Sequence, residues 1–72
     1  MTKDVRNSIG LFMGEISENM GHKTVYGFDH RYLGEYNPNT DTTIDYIHSR
    51  IYGSGDLCTA MIYEYAHEHG RS

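Results

Sequence analysis

Five histidines and one cysteine are the side chains of this chain best suited to chemistry. His67-Glu68-His69 is the densest cluster. On a helix, residues two apart point in different directions, so these two imidazoles cannot close on one ion. Neither an H-E-x-x-H run nor a Cys–His ladder is present. No metal and no other cofactor is therefore predicted. Near a helix C-terminus, His67 and His69 serve the helix dipole when protonated. Cys58 falls near the start of a predicted helix, where a thiol pKa can drop. A free cysteine on a helix is more often a small core residue. No G-x-S-x-G, phosphate-binding loop or G-x-G-x-x-G is present. The expectation is a protein without catalytic activity, the alternative being a small enzyme that uses Cys58 or a histidine.

The seven tyrosines are the most unusual feature. Tyrosine supplies large, rigid, amphipathic contact area with few rotors to freeze. Tyr63 and Tyr65 cannot both face the core of one helix, and Tyr46 and Tyr52 flank an isoleucine stripe. These four, with Glu64 and Glu68, are the predicted surface for a larger protein partner. The plain alternative is tyrosine standing in for Phe and Leu at the edge of a small core. A second functional reading is single-stranded nucleic acid, with Tyr26, Phe28, Tyr32 and Tyr36 as stacking platforms and Lys23 and Arg31 beside them. Glu15/Glu18, Asp41/Asp45 and Glu64/Glu68 are like-charge pairs at helix-neighbour spacing. Such pairs mildly destabilise a helix and read either as a solvated face or as an acidic surface aimed at a basic groove.

The totals narrow the field. Seventy-two residues allow one domain with a thin core. The formal charge is −4, and the six Lys and Arg are scattered. Duplex DNA and basic membrane-surface helices are therefore excluded as modes of action. One cysteine forbids an internal disulfide and suits a reducing compartment, so a cytoplasmic location is expected. The start shows neither a signal peptide nor a membrane span. The chain reads as a complete short frame, in the manner of small phage or mobile-element proteins that act as inhibitors or accessory factors.

The elements that must position these residues begin with His22–Tyr36, the segment of clear period-two alternation. It is predicted as a hairpin turning at Asp29-His30. Before it, Val5, Ile9, Phe12, Ile16 and Met20 recur at helical spacing, which predicts a helix over Lys3–Met20. Gly10 and Gly14 each cost such a helix about 1 kcal/mol relative to alanine. With Ser17 and Gly21 they form a small-residue row beside Leu11 and Met13, the predicted surface for a homodimer. Asn37–Asp41 is dense turn chemistry. Thr42–Tyr52 is β-prone, but Ile44, Ile47 and Ile51 fit one helical stripe, so it is assigned as helix. A last helix is predicted over Asp56–His69, with Leu57, Met61 and Tyr65 on one face and Gly70 as its stop. No internal repeat is read. The expected fold is α+β in the order αββαα, a two-stranded antiparallel hairpin packed on helices, with αβββα and a three-stranded sheet as the alternative. The expected core is Val5, Ile9, Phe12, Ile16, Met20, Val25, Phe28, Leu33, Ile44, Ile47, Ile51, Leu57, Met61 and Ile62.

The charge balance yields a first prediction. Binding to duplex DNA should be undetectable, or weak and steeply salt-dependent, in a fluorescence titration. Tight binding that survives moderate salt would contradict it.

Overall fold

The computed structural model describes residues 1–71. It is mostly β. Six strands, β1 (Thr2–Arg6), β2 (Phe12–Asn19), β3 (His22–Gly27), β4 (Tyr32–Asn37), β5 (Thr42–Asp45) and β6 (Arg50–Ser54), precede one helix, α1 (Cys58–Glu68). Every strand pairs antiparallel with the one before it, so the sheet order is the chain order. The expected αββαα arrangement is thus corrected, and so is its three-stranded alternative. The His22–Tyr36 hairpin and the final helix are present, but the two other predicted helices are β-hairpins.

Local chemistry explains both corrections. In the first, the Asn7 side-chain oxygen accepts the N–H groups of Ile9 and Leu11, at 3.0 and 2.9 Å. Gly10 follows at φ 85°. This turn folds β1 back on β2, and the two glycines that would weaken a helix instead serve a loop and a strand. In the second, Asp45 Oδ1 accepts the N–H groups of Ile47 and His48, at 2.9 and 3.2 Å. The same side-chain-to-backbone bonding that can cap a helix here makes the turn between β5 and β6. The β-branched residues Thr42, Thr43, Ile44 and Ile51 then sit in strands, as their propensity favours.

Three of the five hairpins, β1–β2, β3–β4 and β5–β6, repeat one design that helical spacing does not reveal. Val5 pairs with Gly14, Val25 with Gly34 and Thr43 with Gly53. Beyond each pair the register slips, leaving Met13, Leu33 and Tyr52 unpaired as bulge residues. The turn before each glycine holds a residue with positive φ at the same offset: Gly10 before Gly14, His30 before Gly34 and Ser49 before Gly53. Each bulge lets consecutive residues face the same side. Met13 and Gly14, and Leu33 and Gly34, are accordingly all buried.

That inner side receives α1. Gly14 lies under Ile62, Gly27 under Tyr65, Gly34 under Met61 and Gly53 under Leu57. A Cβ on Gly27 would meet the Tyr65 ring at 2.6 Å, and one on Gly53 would meet Leu57 Cδ1 at 2.6 Å. The core is Val5, Met13, Ile16, Val25 and Leu33 from the sheet, with Cys58, Met61, Ile62, Tyr65 and Ala66 from the helix. Ile9, Met20 and Ile51, expected inside on helical spacing, are 82, 93 and 70 % exposed. Their faces vanish once the segments become strands and turns.

Polar bonds fasten the helix at several points. Thr43 Oγ1 donates to Gly55 O at 2.7 Å and accepts Leu57 N–H at 3.0 Å, just before the first turn. Asp56 pairs with Lys23 of β3 and accepts Cys58 N–H at 3.2 Å. Tyr63 donates to Arg6 O at 2.9 Å, Tyr65 to Asp29 Oδ2 at 2.7 Å, and Arg71 Nε to Phe12 O at 2.8 Å. The Tyr65 hydroxyl lowers the Asp29 carboxyl pKa. Burial alone would raise that of Asp56, but Lys23 and Cys58 outweigh it and the net shift is downward.

Two predictions follow from this packing. Alanine at Gly14 or Gly34 would press a Cβ onto the backbone oxygen of Tyr26 or Ile44. Each substitution should cost about 2 kcal/mol or more, lowering Tm by roughly 10 °C, while Ile9→Ala leaves it unchanged. Differential scanning fluorimetry reads this directly. Asp29 and Asp56 titrate below their ordinary value of 3.8 in the folded chain. Their contribution is therefore present above that value and is lost as pH falls through the lower folded values. An Asp29→Asn/Asp56→Asn variant should show a smaller acid loss of Tm than wild type between neutral pH and the foot of the titration.

Candidate functional site: the uncovered sheet face

Strand register decides what the second face carries. Asp4, Glu15, Tyr26 and Tyr32 are successive cross-strand partners and form one row. Ser17, Thr24, Glu35, Ile44 and Ile51 form the next. Both rows point away from α1. Tyr46, in the β5–β6 turn, extends the first row, because its N–H donates to Leu33 O at 2.9 Å and its ring lies beside Tyr32. The Tyr26 and Tyr32 centroids are 5.7 Å apart, and those of Tyr32 and Tyr46 are 5.6 Å apart at an interplanar angle of 26°. The three rings make a continuous ladder across β3, β4 and the turn.

Among the described residues, no element crosses this ladder. Tyr46 is 48 % exposed, and Ile51 stands free beside Ile44 at the β6 edge. Tyr32 donates to Glu35 Oε1 at 3.1 Å. Burial, then this carboxylate, pushes the Tyr32 hydroxyl pKa up, so the ring keeps its proton. The two rows carry three carboxylates, Asp4, Glu15 and Glu35, and none of their positions is Lys or Arg. An aromatic, apolar patch of this kind, rimmed by acid, suits apolar and cationic groups.

The sequence-predicted residues are distributed over several places. Of the partner set, Tyr46 is on the ladder. Tyr65 is in the core, Tyr63 is exposed on the helix with its hydroxyl tied to Arg6 O, and Tyr52 is half-buried under the Arg50 guanidinium, 5.4 Å from its ring centre. Glu64 and Glu68 face the β5–β6 turn. Arg50 donates to Glu64 Oε1 at 2.8 Å, and His48 Nε2 is 3.6 Å from Glu68 Oε1. The nucleic-acid set divides as well. Tyr26 and Tyr32 share the ladder, whereas Phe28 packs near Tyr65, His69 and Arg71 on the helix side. Lys23 is held by Asp56, Arg31 lies near the Tyr65 hydroxyl, and Tyr36 donates to Asp41 Oδ1 at 2.7 Å.

The self-association row depends on a helix that does not form. Gly10 is in a turn, Leu11 is half-buried, Met13 and Gly14 lie beneath α1, and Ser17 faces the opposite side of the sheet. Cys58 is buried, and burial followed by the Asp56 carboxylate pushes its thiol up to about 12. It stays protonated at neutral pH, the reverse of what a nucleophile needs.

The ladder is hidden from the sequence because its rings come from β3, β4 and a turn whose isoleucines fit a helical stripe. The alternation of Tyr26 with Val25 and Gly27 was its one local signal. Removing Tyr32 and Tyr46 together should cost no more than about 1 kcal/mol, a fall in Tm of at most roughly 4–8 °C, since both rings are exposed. A large loss of Tm would mean that the ladder supports the fold. No protein-family model, curated protein or solved structure matches the chain.

Proposed function

We propose that this chain is a non-enzymatic protein-binding module that engages a larger partner through the Tyr26–Tyr32–Tyr46 ladder. The observation that carries the reading is a row of three neighbouring tyrosine rings, one pair stacked and one tilted, on a sheet face that no described element covers. Such a surface offers wide contact area already held rigid by strand pairing, so little side-chain entropy is lost on binding. Ile44 and Ile51 extend the apolar area toward β6, and Glu15 and Glu35 favour a partner segment with Lys or Arg that can lie over a ring and meet a carboxylate. The partner is occupied rather than modified, as an inhibitor or accessory factor would act.

The single-stranded nucleic-acid reading keeps two of its stacking rings, Tyr26 and Tyr32. It loses support from the charges: Lys23 and Arg31 lie on the helix side and the ladder is rimmed by carboxylates. Backbone tracking by cations is half of that mechanism.

A comparative pull-down tests the proposal. Wild type should retain one stoichiometric protein partner, and Tyr32→Ala/Tyr46→Ala should lose it, since central aromatic anchors contribute about 2 kcal/mol or more each. Retention of the partner by the double variant would reject the ladder as the interface. Nucleic acid held by wild type and lost by the variant would favour the stacking reading instead.

A further inference from the structure

Away from the ladder, the β5–β6 turn and the helix bring together a second set of groups. Asp45, His48 and Glu64 each offer a ligand atom, and these atoms lie within 4.8 Å of one another. Asp45 is only 2 % exposed. Its Oδ1 is committed to the N–H groups of Ile47 and His48, so the carboxylate is locked in place. Its Oδ2 faces the cations, 2.7 Å from His48 Nδ1 and 3.2 Å from Arg50 Nε. Arg50 reaches on to Glu64, and His48 Nε2 faces Glu68. The Arg50 guanidinium thus bridges two carboxylates, Asp45 and Glu64, while the third, Glu68, faces His48.

We infer that Asp45 Oδ2, His48 Nδ1 and Glu64 form a binding site for a first-row divalent transition ion of the zinc class, which exchanges with the Arg50 guanidinium. Imidazole with carboxylate oxygens is a donor set that such ions favour. Bonds of about 2.0–2.2 Å place neighbouring ligand atoms roughly 3.0–3.6 Å apart. Closing to that spacing around the fixed Asp45 falls to the Glu64 side chain, which is 38 % exposed, once Arg50 has swung away. The imidazole binds as the neutral ring, releasing one proton if it was charged. Its remaining proton sits on Nε2 and is donated to Glu68, which orients the ring as an outer-shell carboxylate does in metal sites. Arg50 then moves toward Tyr52, over whose ring it already lies.

Isothermal titration with zinc or cobalt at neutral pH, on the full chain, tests the inference. Wild type should bind one equivalent. Arg50→Gln removes the competing cation and should tighten binding by about tenfold. His48→Ala should abolish this binding, and Glu68→Gln should weaken it by about tenfold. The double variant His67→Ala/His69→Ala should bind as wild type does. Absence of binding in both wild type and Arg50→Gln would overturn the site. So would binding that survives His48→Ala but disappears in the His67/His69 variant, since the ion would then belong to the helix end. Circular dichroism of each variant separates loss of the site from loss of the fold.

Discussion

The close approach of α1 to the sheet is the constraint on which this structure depends. Gly14, Gly27, Gly34 and Gly53 leave room for Ile62, Tyr65, Met61 and Leu57 to settle directly against strand backbone. A sheet of six strands with one eleven-residue helix has little apolar material to exclude water. Bringing the helix down onto bare backbone makes each of its side chains touch more of the sheet. The bulges serve the same end. By turning Met13 and Leu33 inward next to a glycine, they place a large side chain beside each gap and not over it.

One helix can cover only one face. The inner face takes the core, the Thr43 hydroxyl, and the Asp29 and Asp56 anchors. The outer face is left with tyrosine, isoleucine, hydroxyl side chains and carboxylate. A strand sends alternate side chains to opposite faces, so the residues that pack the helix and those that make the ladder are interleaved. Val25 is fully buried while its neighbour Tyr26 lies against Tyr32 on the far side. The proposed binding surface is thus tied to the packing: a one-residue slip in β3 would exchange the two sets.

The β5–β6 turn shows how buried polarity is managed in a small domain. An ionised Asp45 would be costly at its depth without partners. Burial tends to raise its carboxyl, but the His48 side chain, the His48 backbone N–H and Arg50 together hold it below the ordinary range. Glu64 and Glu68, a like-charge pair on one side of the helix, gain Arg50 and His48 across the gap. A pairing that weakens an isolated helix becomes a link between helix and sheet.

Local sequence signals reached some of this. Alternation over His22–Tyr36 specified β3 and β4, because both burial and pairing favour period two there. The stripe of Leu57, Met61 and Tyr65 specified the last helix, with Gly70 at its end. The absence of a long apolar run agrees with the described helix, which is too short and polar to cross a membrane. The first and third segments misled because Val5, Ile9, Phe12, Ile16 and Met20, and likewise Ile44, Ile47 and Ile51, match a helical period by spacing alone. Their real partners lie across turns made by Asn7 and Asp45, and such side-chain bonds compete with the helix in ways periodicity does not record. The glycines could be read locally only as helix weakeners, since what they admit comes from the far end of the chain. By itself the sequence determined a small acidic chain with a central hairpin and a C-terminal helix. Tertiary structure alone decided which tyrosines share a face and which histidine meets carboxylates, because strand register and helix docking, not neighbouring positions, bring those groups together.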